Sequence, residues 1–258
     1  MTVEEHDGME KAVQVATEAV ETFLHESARI QRQPFPIEKL TLALKCGGSS
    51  AVSAVSCNPA LGTATDRIIA AGGSAVFAEI LENVGAEHLI KKRAKTKDIY
   101  EKIVSYIQDM EKQIEATGFD IRGSEPTKGN IASGLTTIEE KALGALMKTG
   151  SSEIVGALDY GDRPAEQGVN FMFVPDDTPE LLMGMAAAGA QVLVFTTGGG
   201  IPAHLQRTPA MVGRFDILPI IRVVGNSGDY EKMQDYFDIN AGTILLKQER
   251  IEEVGDRI

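Results

Sequence analysis

The fold is decided by one short stretch, Leu40-Thr41-Leu42-Ala43-Leu44-Lys45-Cys46-Gly47-Gly48-Ser49. Residues 40–44 form an apolar run of the length of a buried strand, and a glycine loop follows at once. Comparable runs predict further strands at 74–78, 169–174, 191–195 and 217–224. Because these runs lack polar alternation, they are typical of strands buried on both faces of a parallel sheet.

Helical patterns separate the predicted strands. Apolar residues recur every three or four positions at 8–30 and 97–117, which predicts amphipathic helices there. Thr137 and Glu140 form a capping-box signature for a helix that runs to about 148. Further helices are predicted at 62–71, 178–188 and 243–254, and a loop at 123–134. This alternation indicates an α/β fold class: a three-layer, mostly parallel sheet with helices on both faces, Rossmann-like. We expect a single domain, 1–258, in which residues 1–36 are an N-terminal helix and linker.

The composition excludes several function classes. The 37 Asp and Glu outnumber the 25 Lys and Arg, so the formal net charge is −12. This charge argues against a nucleic-acid partner and disfavours an anionic membrane surface, but a small anionic substrate stays compatible with it. Two cysteines, Cys46 and Cys57, make neither a disulfide framework nor a zinc cluster, and no apolar run is long enough to span a bilayer. We therefore expect a cytoplasmic protein.

Three polar loops follow predicted strands, at 46–58, 79–88 and 196–204. In open parallel sheets, ligands bind beyond the carboxyl ends of the strands. The first loop offers the amides of Gly47 and Gly48 and the hydroxyls of Ser49 and Ser50, which could cradle a carboxylate or a phosphate. The alternative is a tight turn that needs a positive φ.

Glu79, Glu87 and His88 are the best candidates for acid/base chemistry or metal ligation in the first half of the chain. The alternative is that Glu87 caps the following turn while His88 packs with its ring hydrogen-bonded. His204 is a weaker candidate. Arg93 belongs to a short basic run that is either a solvated helix surface or faces a substrate.

Several segments together resemble the C-terminal part of the altronate/galactarate dehydratase family, which also includes the large subunit of sulfolactate sulfo-lyase. Each segment alone is weak, but their order and spacing cover most of the chain. The matching stretches are 44–49, 58–62, 85–89 with Arg93-Ala94, 129–130, 134–141, 195–198 and 238–242.

The resemblance implies a lyase, a hydro-lyase that dehydrates a sugar acid or a related hydroxy acid. A base would take the proton α to the carboxylate, and the β-substituent would then leave. The resemblance also implies a divalent metal such as Fe²⁺, whose ligands it does not identify. Glu79, Glu87 and His88 would be catalytic. Substrate-binding residues would be Cys46, Gly47, Gly48, Ser49, Ser50, Asn58, Asn130, Thr136, Thr137, Thr196, Thr197 and Gly198.

Three departures from the family pattern favour an alternative. The family usually has Asp, Lys and Arg where this chain has Ser50, Ile131 and Gly199. The loss of three charged groups would suit a diverged, non-catalytic subunit or an anionic-metabolite-binding partner of an active lyase subunit. The resemblance also implies a companion, either a small subunit of the N-terminal-domain type or a homo-oligomer.

Overall fold

The structure of the chain is a computed structural model that describes residues 2–174, 178–199, 215 and 217–258. The chain divides into two compact units, residues 1–36 and 37–258. The first unit contains the 3-10 turn Glu4–His6 and helix α1, Met9–Ser27, which falls within the predicted helix at 8–30.

The second unit is built on a parallel sheet. In the described part of the chain the sheet has seven strands in the order β3-β4-β2-β1-β5-β6-β7, and every pair is parallel. This confirms the predicted three-layer α/β class. The strands are β1 Thr41–Gly47, β2 Ser74–Phe77, β3 Ile154–Leu158, β4 Val169–Met172, β5 Val192–Thr197, β6 Ile220–Val224 and β7 Ile239–Asn240.

Two of these strands, β3 and β7, were not predicted. Gly156 interrupts the apolar run of β3, and the register with β4 shifts between Ile154 and Gly156. A side chain at Gly156 would overlap the amide of Asn170 on the neighbouring strand, so the glycine allows the close approach. The other strand, β7, has only two residues, which are too few to show a pattern of apolar and polar residues.

The longer helices of the second unit follow the prediction, whereas several short ones were not predicted. They are α2 Ala51–Val55, α3 Cys57–Ala70, α4 Glu87–Arg93, α5 Lys97–Ala116, α6 Ile121–Ser124, α7 Lys128–Ala132, α8 Ile138–Leu146, α9 Thr178–Ala187, α10 Ser227–Lys232 and α11 Ile251–Gly255. Shorter 3-10 turns occur at Ile37–Lys39, Leu81–Asn83, Met147–Thr149 and Gly242–Ile244.

Two predictions of local structure were wrong. The predicted loop at 123–134 contains α7, in which Thr127 and Asn130 form a capping box. The helix was missed because its sequence has no apolar periodicity. The predicted continuous helix at 243–254 is a 3-10 turn followed by the separate α11. Lys247 between them has a φ of +56°, a left-handed conformation that interrupts a helix.

Alternate residues of the strands supply two hydrophobic clusters. Leu42 and Leu44 of β1 pack with α3, α5 and α8 in one cluster. Ala43 of β1 packs with Leu181 and Met185 of α9 in the other cluster. Because side chains alternate between the two faces of a strand, helices cover both faces of the sheet. No helix in the described ranges is both long enough and apolar enough to cross a membrane.

The strand order places a topological switch point between β1 and β5. After β1 the chain passes to β2 on one side, whereas β5 lies on the other side and leads on to β6. In open α/β sheets a ligand crevice forms at such a point, beyond the carboxyl ends of the strands. The glycine loop after β1 and residues 196–198 of β5 and its following loop lie at this place.

Candidate functional site

The loop after β1 turns sharply and then starts a helix. Gly48 has a φ of +60°, so the tight turn considered from the sequence is present. Ser50 follows as the N-cap of α2, and its side chain accepts a hydrogen bond from the Ser53 amide at 3.1 Å. The Ser50 hydroxyl therefore has a local structural partner.

Three polar segments far apart in sequence meet around this loop. The Gly198 amide donates to the Gly48 carbonyl at 3.3 Å, which joins the loops after β5 and β1. The Asn130 side chain donates to the Ser49 carbonyl at 2.8 Å. Buried Thr196 donates to Asn58 Oδ1 at 2.6 Å. The described parts of the predicted loops 46–58 and 196–204 thus meet at this edge of the sheet.

A buried cluster of charged groups lies directly below the loop. Glu79, which follows β2, is fully buried. One of its oxygens accepts from Lys45 Nζ at 2.6 Å and the other from Lys148 Nζ at 2.5 Å. The Cys46 amide also donates to this carboxylate, at 3.1 Å. Glu79 therefore ties the end of β1 to Lys148, which is itself 0% exposed.

Cys46 and Glu82 complete the cluster. The Cys46 thiol donates to Glu82 Oε2 at 3.0 Å and accepts from Lys148 Nζ at 3.0 Å. Lys148 Nζ also lies 3.7 Å from Glu82 Oε2. On the outer side, Lys141 Nζ lies 3.7 Å from Glu82 Oε1. Cations and carboxylates alternate through the whole group, which is how buried charges are stabilised.

The environment fixes the protonation of the lysines. Burial by itself lowers the pKa of Lys148, but the neighbouring Cys46, Glu79 and Glu82 outweigh burial and raise that pKa above its ordinary value. The pKa of Lys45 is raised in the same way, against burial, chiefly by Glu79 and then by Glu82. Both side chains are ammonium ions at neutral pH.

The pKa values of the two acidic partners, Glu82 and Cys46, shift in opposite directions. Burial alone would raise the pKa of Glu82, but the charges of Lys141, Lys148 and Lys45 lower it to about 2. Burial, with Glu79 and Glu82, raises the pKa of the Cys46 thiol above its ordinary value despite the nearby lysines. Glu82 is therefore a carboxylate and Cys46 a neutral thiol at neutral pH.

Sequence reasoning identified Glu79 and Cys46 but missed their partners Lys45, Glu82 and Lys148. A signal existed for two of them. Lys45 interrupts an apolar strand, where an unpaired charge would be costly, and Glu82 follows Glu79 after three residues. Lys148 stands beyond the end of α8 and carries no comparable signal.

The cluster contains a set of donor atoms compatible with a metal. Cys46, Glu79 and Glu82 place one ligand atom each within 4.8 Å of one another, and all three residues are enclosed. A thiolate and carboxylates together suit borderline divalent ions of the first transition row. The sequence had left the ligands unidentified.

Glu87 and His88 lie apart from these contacts. They form the first turn of α4, where His88 is exposed and Glu87 half-buried. The Glu87 carboxylate accepts from the Gly85 amide at 3.2 Å, so it contacts the turn that precedes it and not the turn that follows. In the part of the chain that the structure describes, the hydrogen bonds and ion pairs of the Glu79 cluster include neither residue.

The remaining predicted site residues have structural partners. Thr136 and Thr137 are exposed at the start of α8, where Thr136 donates to Glu140 Oε2 at 2.5 Å and Thr137 caps the helix. Thr197 is buried, and its hydroxyl accepts from the Gly199 amide at 3.3 Å.

Arg93 is hydrogen-bonded within the protein and is not a solvated surface residue. Its guanidinium donates to the Thr149 carbonyl at 2.9 Å, to the Thr149 hydroxyl at 2.7 Å and to the Ser152 carbonyl at 2.9 Å. The solvated-surface alternative was wrong, because three backbone and side-chain acceptors converge on the planar donor group. A substrate-facing role for Arg93 stays a prediction. His204 lies outside the described residues.

The positions that depart from the family pattern have distinct surroundings. Ile131 is 55% exposed on α7. Gly199 has a φ of +95°, and a side chain there would overlap the carboxylate of Asp229. An arginine at 199 would therefore need the loop and Asp229 to move.

Comparison with known proteins identifies the family. Residues 37–258 match the model of the family "D-galactarate/Altronate dehydratase, C-terminal". The chain belongs to this family. The match covers the whole second unit, from its first 3-10 turn to the last residue, and confirms the resemblance that the sequence motifs indicated.

Curated members of the dehydratase family are similar over nearly the whole chain. Altronate dehydratase of Bacillus subtilis (strain 168) is 34% identical over 96% of this chain, which corresponds to 46% of that protein. Galactarate dehydratase (L-threo-forming) of Escherichia coli (strain K12) is 32% identical over 98% of this chain, which corresponds to 46% of that protein. The beta subunit of (2R)-sulfolactate sulfo-lyase from Chromohalobacter salexigens is 31% identical over 98% of this chain, which corresponds to 63% of that protein. The chain thus spans about half the length of the two dehydratases.

Proposed function

We propose that this chain is the C-terminal part of a lyase that dehydrates a sugar acid or a related hydroxy acid. The observation that carries the proposal is the meeting of the 46–50 loop, the loop after β5 and the Glu79 cluster at the switch point of a dehydratase-family sheet. Its relatives are named as dehydratases and a sulfo-lyase subunit, which favours this proposal over the non-catalytic alternative.

The loop would bind the carboxylate of the substrate. Amides of Gly47 and Gly48 and the hydroxyl of Ser49 would donate to its oxygens, with Gly198 as the opposite wall. Lys45 and Lys148 would add positive charge from below, where little water screens it. Glu79 would hold both ammonium groups in place, because its two oxygens are already bonded to them.

Proton abstraction needs a group other than these lysines, since both are protonated. Glu87 and His88 remain our proposed acceptors of the proton on the carbon α to the carboxylate. Loss of that proton leaves an electron pair that forms the Cα–Cβ double bond while the bond from Cβ to the hydroxyl oxygen breaks. The protonated base would return the same proton to the departing hydroxyl, which leaves as water.

A divalent metal is part of the proposal, with Fe²⁺ as the ion. The residues that would hold it are Cys46, Glu79 and Glu82, once the Lys148 ammonium has left its place among them. When bound, such an ion supplies Lewis-acid polarisation of substrate oxygens. We also propose a cytoplasmic location and a companion, either a small subunit of the N-terminal-domain type or a second copy of the chain. The subunit name of the sulfo-lyase relative supports a multi-subunit assembly.

Proton exchange tests the proposal more directly than turnover. The chain, supplied with Fe²⁺ under anaerobic conditions, is incubated in D₂O with galactarate, altronate or sulfolactate, and the α-proton signal is followed by NMR. We expect exchange or elimination with at least one acid. The exchange rate should fall by roughly 100-fold or more in whichever variant, His88→Ala or Glu87→Gln, lacks the base. Lys92→Ala, another change on α4, serves as the matched control.

Two outcomes would contradict parts of this proposal. Binding of these acids without exchange, alone or with a companion subunit, would support the non-catalytic alternative. Full exchange in folded His88→Ala and Glu87→Gln variants would remove both residues from the proton transfer while leaving the lyase assignment intact.

A further inference from the structure

We propose that Lys148 occupies the cation position of the Cys46, Glu79 and Glu82 donor set, so that its ammonium and a divalent ion exclude each other there. The inference rests on the metal part of the proposed function and is independent of the elimination chemistry. It concerns what fills the space between three donors that could otherwise hold an ion.

The geometry places one atom among all three donors. Lys148 Nζ lies 2.5 Å from Glu79 Oε2, 3.0 Å from Cys46 Sγ and 3.7 Å from Glu82 Oε2. An ion bonded to the same atoms would sit about 2.0–2.3 Å from each. It would therefore need the same donor atoms that now face the ammonium, at closer range than the nitrogen itself, and the two cations would compete for them.

Charge counting gives the same result. The carboxylates of Glu79 and Glu82 face the ammoniums of Lys45 and Lys148, so two negative charges already meet two positive ones. A divalent ion added to this group would leave a positive excess in a site with little solvent, even after the Cys46 thiol lost its proton. Such an excess is costly because buried charges interact strongly.

The surroundings give Lys148 little room to withdraw. Its side chain is 0% exposed, and its Nζ lies 4.8 Å from the centre of the Phe77 ring. The Thr65 hydroxyl donates to its carbonyl at 3.0 Å, which holds the backbone at this position. Moving the ammonium to solvent would require a shift of the 147–149 turn or of the core below it.

The test compares Co²⁺ binding to the wild-type chain and to Lys148→Met, without substrate, by calorimetry and by the thiolate-to-cobalt absorption band. Removal of the competing charge should tighten Co²⁺ binding by about tenfold or more and produce the band. Lys141→Met is the matched control, since it also removes a positive charge near Glu82 but contacts neither Cys46 nor Glu79 among the described residues. The control should change the affinity much less.

Equal affinities of wild type and Lys148→Met, or an equal gain in the Lys141→Met control, would overturn the inference. If Lys148→Met does not fold, Co²⁺-soaked crystals of the wild-type chain decide by anomalous scattering. Absence of a peak between the three donors, or a peak with Lys148 displaced, supports exclusion, and a peak beside an unmoved Lys148 refutes it. Because no substrate is present, failure of the lyase proposal would not change these readouts.

Discussion

The substitution Glu79→Gln removes the centre of the buried charge cluster while keeping the shape of the side chain. The glutamine retains one oxygen acceptor, so either Lys45 or Lys148 would face an amide NH₂ in place of a carboxylate oxygen. Breaking a buried ion pair by removing one partner costs about 3–5 kcal/mol of unfolding free energy. In a domain of this size that corresponds to a fall in Tm of roughly 6–20 °C.

Urea unfolding followed by circular dichroism measures this loss, with Glu166→Gln as the matched control. Glu166 pairs with Lys95 on the surface, where both side chains are largely exposed, and an exposed pair contributes about 1 kcal/mol or less. A double-mutant cycle of Glu79→Gln with Lys148→Met should show strong coupling between the two residues. The double variant leaves fewer buried charges unpaired than the sum of the single variants does. If Glu79→Gln were as mild as the control, the cluster would not stabilise the fold as argued.

Two further predictions concern neighbouring contacts. Asn58→Ala should cost about 1–3 kcal/mol in urea unfolding, because it leaves the Thr196 hydroxyl and the Gly144 carbonyl without their buried partner; a cost below 0.5 kcal/mol would contradict this. Burial would raise the pKa of Asp66, but hydrogen bonds from residues 151–152 outweigh it and lower that pKa. Its stabilisation is therefore present above the unfolded value of about 3.9 and lost as the pH falls below it. Asp66→Asn should accordingly be destabilised at pH 7 and approach wild type as the pH falls through the lowered pKa of the folded state; a constant difference across that range would refute the assignment.

Much of the fold could be predicted because its signals are local. The apolar runs of β1, β2, β4 and β5 and the amphipathic period of α5 each lie within a few residues, and each was found near its observed bounds. The missed strands β3 and β7 are short or interrupted by glycine, so their pairing with neighbours, and not their own pattern, makes them strands.

The candidate site was predictable only in part. The sequence by itself determined that the polar loop at 46–50 follows a buried strand, and the strand order then placed it beside the loop after β5. The tertiary structure alone decided which charges meet below it. Glu79 lies 34 residues from Lys45 and 69 from Lys148, and Cys46 lies 102 from Lys148. A local sequence pattern cannot predict contacts between residues so far apart in the chain. A buried charge pairs with whichever opposite charge the packed elements bring close to it.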